Sequence, residues 1–339
     1  MTQFKNILLG HGSGGRLSHE LITSLFIKHF SNKILLQQTD AALLDMASGK
    51  IAMTTDAFVV DPIFFPGGDI GKLAIAGTVN DLAVSGASPA YLSVSFIIEE
   101  GLPFLALEKI VRSMAEEALS AGIHIVTGDT KVVDRGKCDK IFITTSGVGQ
   151  QRKEANQLAT GKLISPGDKI IVNGFIGDHG MAVMSARNQL NIKAKIESDC
   201  ASLNGMIDQV WENAGNIHFM RDATRGGLGT VMCEIVADKS WGINLFEQDI
   251  PVRTEVRGMC ELLGFDPLYV ANEGKVVMVV GSVVADKVME TLRKHEFGRN
   301  AVIIGEIVPQ HAGKVWLHTS IGGKRIVDMP AGEQLPRIC

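Results

Sequence analysis

Apolar positions recur at helical spacing over 18–30, where Leu21, Ile22, Leu25 and Phe26 share a side and Ser18 can cap the first turn. Strand-like apolar runs follow at 33–38, 50–60, 91–98, 123–128 and 140–146. Between them, 70–85 and 103–121 carry helical periodicity, the second stopped by Gly122 as a left-handed cap. The resulting order, β-β-α-β-α-β-β, predicts an α+β sandwich with helices over one sheet face. The stretch 150–168 is polar and turn-rich and predicts a domain boundary. Beyond it, strands at 169–175, 275–281, 301–307 and 314–318 alternate with helices at 178–190, 203–213, 225–238, 254–263 and 285–295, a second mixed domain. After Ile321 the pattern dissolves into GGKRIVDMPAGEQLPRIC, which has little to bury and predicts a mobile tail. Four units follow: a glycine loop and helix at 1–32, a domain over 33–150, a second over 151–320, and a tail over 321–339.

Composition narrows the function classes. The chain has 339 residues, 45% hydrophobic and 21% charged, which supports two domains with cores of ordinary size. A formal net charge of -4 argues against a nucleic-acid binder, and no apolar run is long enough for a bilayer. The N-terminal MTQFKNILLGHGSGG lacks the basic and apolar segments of an export signal, so a cytoplasmic location is expected. The five cysteines (138, 200, 233, 260 and 339) form no C-x-x-C pair, which disfavours a zinc ribbon or a redox dithiol. Four of them lie in periodic or apolar segments and read as small buried side chains; Cys339 ends the chain.

Several short segments suit phosphate and metal chemistry. GHGSGG at 10–15 formally matches a dinucleotide turn, but no parallel βαβ unit follows it. It reads either as a loop whose amides reach phosphate oxygens or as a plain glycine turn. Asp40, Asp56, Asp81, Asp129 and Asp222 each end or follow an apolar run, where carboxylates can project into a cleft and hold Mg²⁺. Taken singly, each reads first as a helix cap or turn former, except that Asn80 and Asp81 fall inside a helical pattern where neither role is natural. Lys131 in GDTKVV and Glu273 in ANEGK suit phosphoryl stabilisation and a general base, although both also read as solvent-facing charges at strand ends. Arg225 in RDATRGG enters a helix through paired glycines, as an anion site does. His11 and His179 lie in glycine-rich turns, either as substrate contacts or as ordinary polar loop residues.

GHGSGG, TTDAFVVDPIFFPGGDIGKLA, GTVNDLAVSGA, VTGDTKVV, GDHG, RDATRGG, ANEGK and the terminal PRIC occur in one order across nearly the whole chain. Together they resemble the HypE family of hydrogenase maturation factors, within the superfamily of aminoimidazole ribonucleotide synthetase and selenophosphate synthetase. The resemblance implies a two-domain PurM-like α+β fold: an N-terminal mixed-sheet domain that dimerises, a C-terminal α/β sandwich domain, and a flexible tail. It implies ATP-dependent dehydration of a carbamoyl group on Cys339 to a thiocyanate, a cyanide source for [NiFe] hydrogenase, with HypF as carbamoyl donor and the HypC–HypD complex as acceptor. The site residues expected on that basis are Cys339, Lys131 and Glu273 for the chemistry. Gly12, Gly14, Gly15, Asn80, Asp129 and Arg225 would bind ATP, and Asp40, Asp56, Asp81 and Asp222 the Mg²⁺. The alternatives are a small-molecule ATP-dependent synthetase of the same superfamily and a non-catalytic carrier of a modified cysteine.

Overall fold

The computed structural model describes residues 5–13, 15–38, 41–187, 195–330 and 338–339. The first helix runs as α1 (Arg16–Leu21), a π-helical stretch over Ile22–Ile27, and α2 (Lys28–Phe30). Of its predicted apolar side Leu21, Leu25 and Phe26 are buried, joined by Phe30, whereas Ile22 is 37% exposed. The helix starts earlier than the Ser18 cap implied, at Gly15, and the Ser18 hydroxyl donates to the Gly10 carbonyl at 3.2 Å. The strand expected at 33–38 is absent. Asn32 Oδ1 accepts the amides of Ile34 and Leu35 and turns the chain into a short 3₁₀ segment, Leu35–Gln37, so a side chain has outcompeted the sheet for the backbone.

Strands β1 (Ile51–Phe58), β4 (Ala87–Glu99), β5 (His124–Val133) and β6 (Ile141–Gln151) form a four-stranded sheet in the order β1-β6-β4-β5. A two-residue hairpin, β2 (Phe64–Phe65) and β3 (Gly68–Asp69), leads into α3 (Ile70–Val84). The Asp69 carboxylate caps α3 by accepting the amides of Gly71 and Lys72 at 2.8 and 3.1 Å. Helix α3 packs against α4 (Phe104–Ser120) so closely that a Cβ on Gly71 would lie 2.5 Å from the Ile110 carbonyl oxygen. It has no polar face because the sheet, α4 and the second domain all cover it; only Lys72 and Asp81 of its residues keep appreciable solvent contact.

The second domain is built on β7 (Lys169–Val172), β8 (Ile217–Asp222), β9 (Gly242–Phe246), β10 (Val276–Val280), β11 (Val302–Val308), β12 (Val315–His318) and β13 (Lys324–Val327). They form one sheet in the order β13-β12-β9-β11-β7-β10-β8, parallel at β12–β9 and antiparallel at its other described pairs. The helices are α5 (Asp178–Ala186), α6 (Asn204–Asn213), α7 (Gly227–Val236), α8 (Thr254–Leu263) and α9 (Ala285–Lys294). Strand β10 reads VVMVV without alternation because both its faces are covered. Val277 and Val279 join the cluster under α7, while Val276, Met278 and Val280 join the one under α6 and α9, all five at 0% exposure.

The segment 150–168, expected as a polar boundary, is not solvated throughout, since Ala155 and Leu158 are buried in the cluster that also holds residues of α6 and α9. The tail prediction is corrected where residues are described. Residues 324–327 pair with β12 as an edge strand, and the Tyr269 hydroxyl donates to the Asp328 carbonyl at 2.7 Å. Four residues are too short a run for alternation to register in sequence, yet an open strand edge is enough to capture them. At the far end, Ile338 is 3% exposed and packs into the core of the first domain.

Candidate functional site

Strand alternation turns Thr54, Asp56 and Phe58 toward α3. On α3, Thr78 and Asp81 lie three residues apart and therefore share a face. Two cross-bonds result: Thr78 Oγ1 donates to Asp56 Oδ2 at 2.8 Å, and Thr54 Oγ1 to Asp81 Oδ2 at 2.7 Å. The second domain adds Asp222, at the end of β8, and Glu273, in the turn before β10; the pairing of Val276 with Asp222 keeps them neighbours.

Electrostatics shows how tightly these acids are grouped. Burial raises the Asp81 pKa, and the nearby Asp56 charge adds to it. Burial, then Asp81 and Asp56, push Asp222 up to about 7. Asp222 keeps partial solvent contact at its outer edge, but its carboxyl is surrounded by protein. Glu273 is raised well above the ordinary range by burial, followed by Asp222, Asp199 and Asp56, with Arg225 opposing the rise. Its buried Oε1 has no hydrogen-bond partner. Four carboxyls from two domains thus face one another with little positive charge between them, a demand that a cation or a cation–phosphate complex would meet. The donor chemistry, hard oxygens only, fits magnesium. The geometry is not a closed cage: among the described residues no three His, Cys, Asp or Glu side chains are grouped closely enough to hold an ion.

A second group forms at the opposite edge of the four-stranded sheet. Asp129 and Lys131 lie on β5, in register with Ser95 and Ile97, on the sheet face turned away from α3. They pair with each other at 3.0 Å, both well exposed, and Lys131 holds the Asp129 pKa down. The glycine loop packs over the same edge: a Cβ on Gly12 would lie 2.3 Å from the Val132 amide nitrogen. Gly12, Asp129 and Lys131 line a common cavity of about 200 Å³. Three strand spacings separate β5 from β1, about 14 Å, so Asp129 and Lys131 do not join Asp56 and Asp81 within one protomer.

The chain end forms the third group. The Ile338 carbonyl accepts a hydrogen bond from His179 Nε2 at 2.6 Å, and the Cys339 carbonyl accepts the Val59 amide at 3.2 Å. His179 begins α5 at 0% exposure, with the Phe65 ring edge-on at 5.4 Å. Cys339 is half-buried against the first domain's core and is not in a disulfide. The other four cysteines carry pKa values raised first by burial, Cys138, Cys233 and Cys260 to about 11 and Cys200 well above its ordinary value, as inert thiols do.

The structure therefore gathers Asp56, Asp81, Asp222 and Glu273, with Arg225 beside them, and leaves Gly12, Asp129 and Lys131 apart. Asp40 and Gly14 lie outside the described residues, and Gly15 caps α1. Asn80 is placed between the domains. Its amide nitrogen donates to the carbonyls of Ala201 and Glu273, its oxygen accepts the Leu203 amide, and it is 2% exposed, so it ties the two domains together. Sequence reading missed Thr54 and Thr78, which had no signal beyond their place on β1 and α3, and Val59, which acts through its backbone. His179 was flagged only by its GDHG turn.

Two families match consecutive parts of the chain: AIR synthase related protein, N-terminal domain, over residues 38–151, and AIR synthase related protein, C-terminal domain, over 165–318. Fold and site thus define a two-domain protein of the AIR synthase-related, PurM-like class. The chain is 48% identical to the carbamoyl dehydratase HypE of Bradyrhizobium diazoefficiens, across 98% of this chain and 95% of that protein. It matches the crystal structure of hydrogenase maturation protein HypE in complex with ATP at a TM-score of 0.93 and 47% identity, covering 98% and 99% of the two chains. The HypE of a HypE–HypF complex matches at 0.79 and 48% identity, covering 91% and 99%. The chain belongs to the HypE family.

Proposed function

We propose that this protein is a carbamoyl dehydratase that acts on its own Cys339, turning an S-carbamoyl group into a thiocyanate with ATP, in the cytoplasm. The observation that carries this reading is the chain end seated between His179 and Val59, which directly follows β1 and lies about 10 Å of extended chain from Asp56. A nucleotide bound at the carboxylates is then within reach of a group on the Cys339 sulfur. The named relatives add support through ATP and HypF.

The chemistry follows from the poor leaving ability of an amide oxygen. Transfer of the γ-phosphoryl group to the carbamoyl oxygen converts it into phosphate; loss of both nitrogen protons then expels phosphate and leaves C≡N on sulfur. The net change is S-carbamoyl-cysteine plus ATP to S-cyano-cysteine plus ADP and phosphate. Asp56, Asp81 and Asp222 would hold magnesium, which supplies charge neutralisation to the phosphates. Burial and the neighbouring carboxyls raise the Glu273 pKa, which favours proton uptake and suits it to act as a base for the amide protons once positive charge enters the site. Arg225, already close enough to oppose that rise, contributes part of the charge.

Lys131 steadies the transferring phosphoryl group, and with Asp129 and Gly12 it does so from a second copy of the chain. The exposed face of the four-stranded sheet carries Met53 at 72% and Ile51 at 57% exposure, and docking two such faces would bring β5 of one protomer toward β1 of the other. HypF is the carbamoyl donor and the HypC–HypD complex the acceptor of the cyano group. The test is intact-mass analysis after incubation with ATP, carbamoyl phosphate and HypF. A mass increase on Cys339 equal to a carbamoyl group less one water is expected; a carbamoyl adduct that keeps that water leaves only a carrier.

A further inference from the structure

The grip on the chain end has a direction that the atoms themselves determine. A carbonyl oxygen only accepts, so at 2.6 Å from the Ile338 carbonyl, His179 Nε2 must carry the proton. The ring is wholly buried, and burial lowers its pKa although the Asp199 charge and the Ile338 hydrogen bond act the other way; burial thus favours the neutral ring, in which Nδ1 is an acceptor. The Ser198 hydroxyl, 2.8 Å away, therefore donates to Nδ1 and in turn accepts the Cys200 amide at 3.1 Å. A one-way chain results: Cys200 amide to Ser198 hydroxyl, Ser198 to His179, His179 to the Ile338 carbonyl. The Ser198 side of this chain is anchored by its neighbours. The Ser198 amide donates to the Pro66 carbonyl at 2.8 Å, tying it to the first domain, and the Asp199 carboxylate is held by Lys275 at 2.9 Å and by the Glu273 amide at 3.1 Å. His179 has no rotational choice left. Its ring presents one N–H toward the chain end.

We propose that His179 is a positioning residue whose Nε2–H seats Ile338 and so fixes the place of the Cys339 sulfur in the cleft, with Ser198 setting the tautomer that makes this possible. The inference rests on the dehydratase reading for its consequence, not for its geometry. A single neutral hydrogen bond is strong enough to favour the seated end and weak enough to let it leave for a partner enzyme. Ile338, buried at 3% exposure, supplies the apolar part of the same grip.

The test compares wild type, His179→Phe and His179→Gln as full-length, unmodified protein. Iodoacetamide labelling of Cys339 is followed by peptide mass, and ATP-dependent dehydration by single turnover on the carbamoylated chain. His179→Phe should raise the Cys339 labelling rate about fivefold to tenfold, the loss left by one missing hydrogen bond. It should slow dehydration by a similar factor with the KM for ATP unchanged. His179→Gln, which keeps an N–H within reach of the Ile338 carbonyl, should recover most of the protection and of the rate. Buried Cys260, which takes no part in this hydrogen-bond chain, is the internal control, because its labelling reports global opening. If Cys260 also labels in His179→Phe, the Gln variant decides: protection of Cys339 near wild type supports the proposal. Wild-type labelling in His179→Phe, or Gln as exposed as Phe with Cys260 still protected, overturns it. Absence of dehydration in all three proteins with the expected labelling order would count against the dehydratase reading alone.

Discussion

Asp222→Asn should stabilise the nucleotide-free protein at alkaline pH while abolishing its response to magnesium–ATP. Folding raises the Asp222 pKa from 3.8 to about 7, first through burial and then through Asp81 and Asp56. The group therefore takes up a proton on folding. Its contribution to stability is complete below its unfolded value of about 4, falls as pH rises through about 7, and stays low above that. A shift of roughly three units corresponds to a ceiling near 4 kcal/mol at 1.36 kcal/mol per unit. The carboxyl shares its repulsion with Asp81 and Asp56, which relax when it is removed, and the residue as a whole is only partly buried, which leaves about 1–2 kcal/mol. Asparagine has nearly the same shape without the charge. At about pH 8 its thermal midpoint should exceed wild type by about 2–4 °C, and its stability should be flatter between about pH 5 and pH 8. Magnesium–ATP should lift wild type and leave the variant unmoved. Differential scanning fluorimetry across that range, with and without magnesium–ATP, measures both effects. An Asn variant with the wild-type pH slope would refute the claim that Asp222 is strained by its neighbours.

Glu273→Gln removes the base but keeps the shape of a side chain whose Oε1 already lacks a partner, so ATP should bind normally while nitrile formation stops. Isothermal titration together with tail mass analysis separates the two, and retained cyanation would remove Glu273 from the base role. Mixing equal amounts of Asp81→Asn and Lys131→Ala should restore about a quarter of wild-type turnover although each alone is inactive, because about half of the dimers are then mixed and each mixed dimer carries one intact site of its two. Turnover by Lys131→Ala alone, or none in the mixture despite subunit exchange, would place Lys131 outside a shared site.

How far the sequence reached differs from element to element. Helices α3 and α4 and strands β4, β6 and β10 were legible because long apolar runs leave little choice of partner. The expected strand at 33–38 failed because Asn32 captures the Ile34 and Leu35 amides, a local hydrogen bond that hydrophobic pattern does not register. β8, β9 and β13 were missed for a related reason: they are short, and their pairing partners lie 50 or more residues away for β8 with β10 and β9 with β11. At the site, Asp81 stood out because a carboxylate within a helical pattern needs an explanation, and α3 supplies it by aiming that residue at Thr54.

The sequence alone determined the two α+β domains, the family, and the residue types that phosphate and metal chemistry need. Those properties follow from periodicity and from motifs whose order survives without coordinates. Tertiary structure decided which of those residues meet. Asp222 and Glu273 reach Asp56 and Asp81 only because the second domain docks on α3, and Asn80 turned out to be the residue that locks that docking. It also separated Asp129 and Lys131 from them by a sheet face, and seated Ile338 on His179, 159 residues away in the chain. Such distances are set by packing between elements, and no local pattern encodes them.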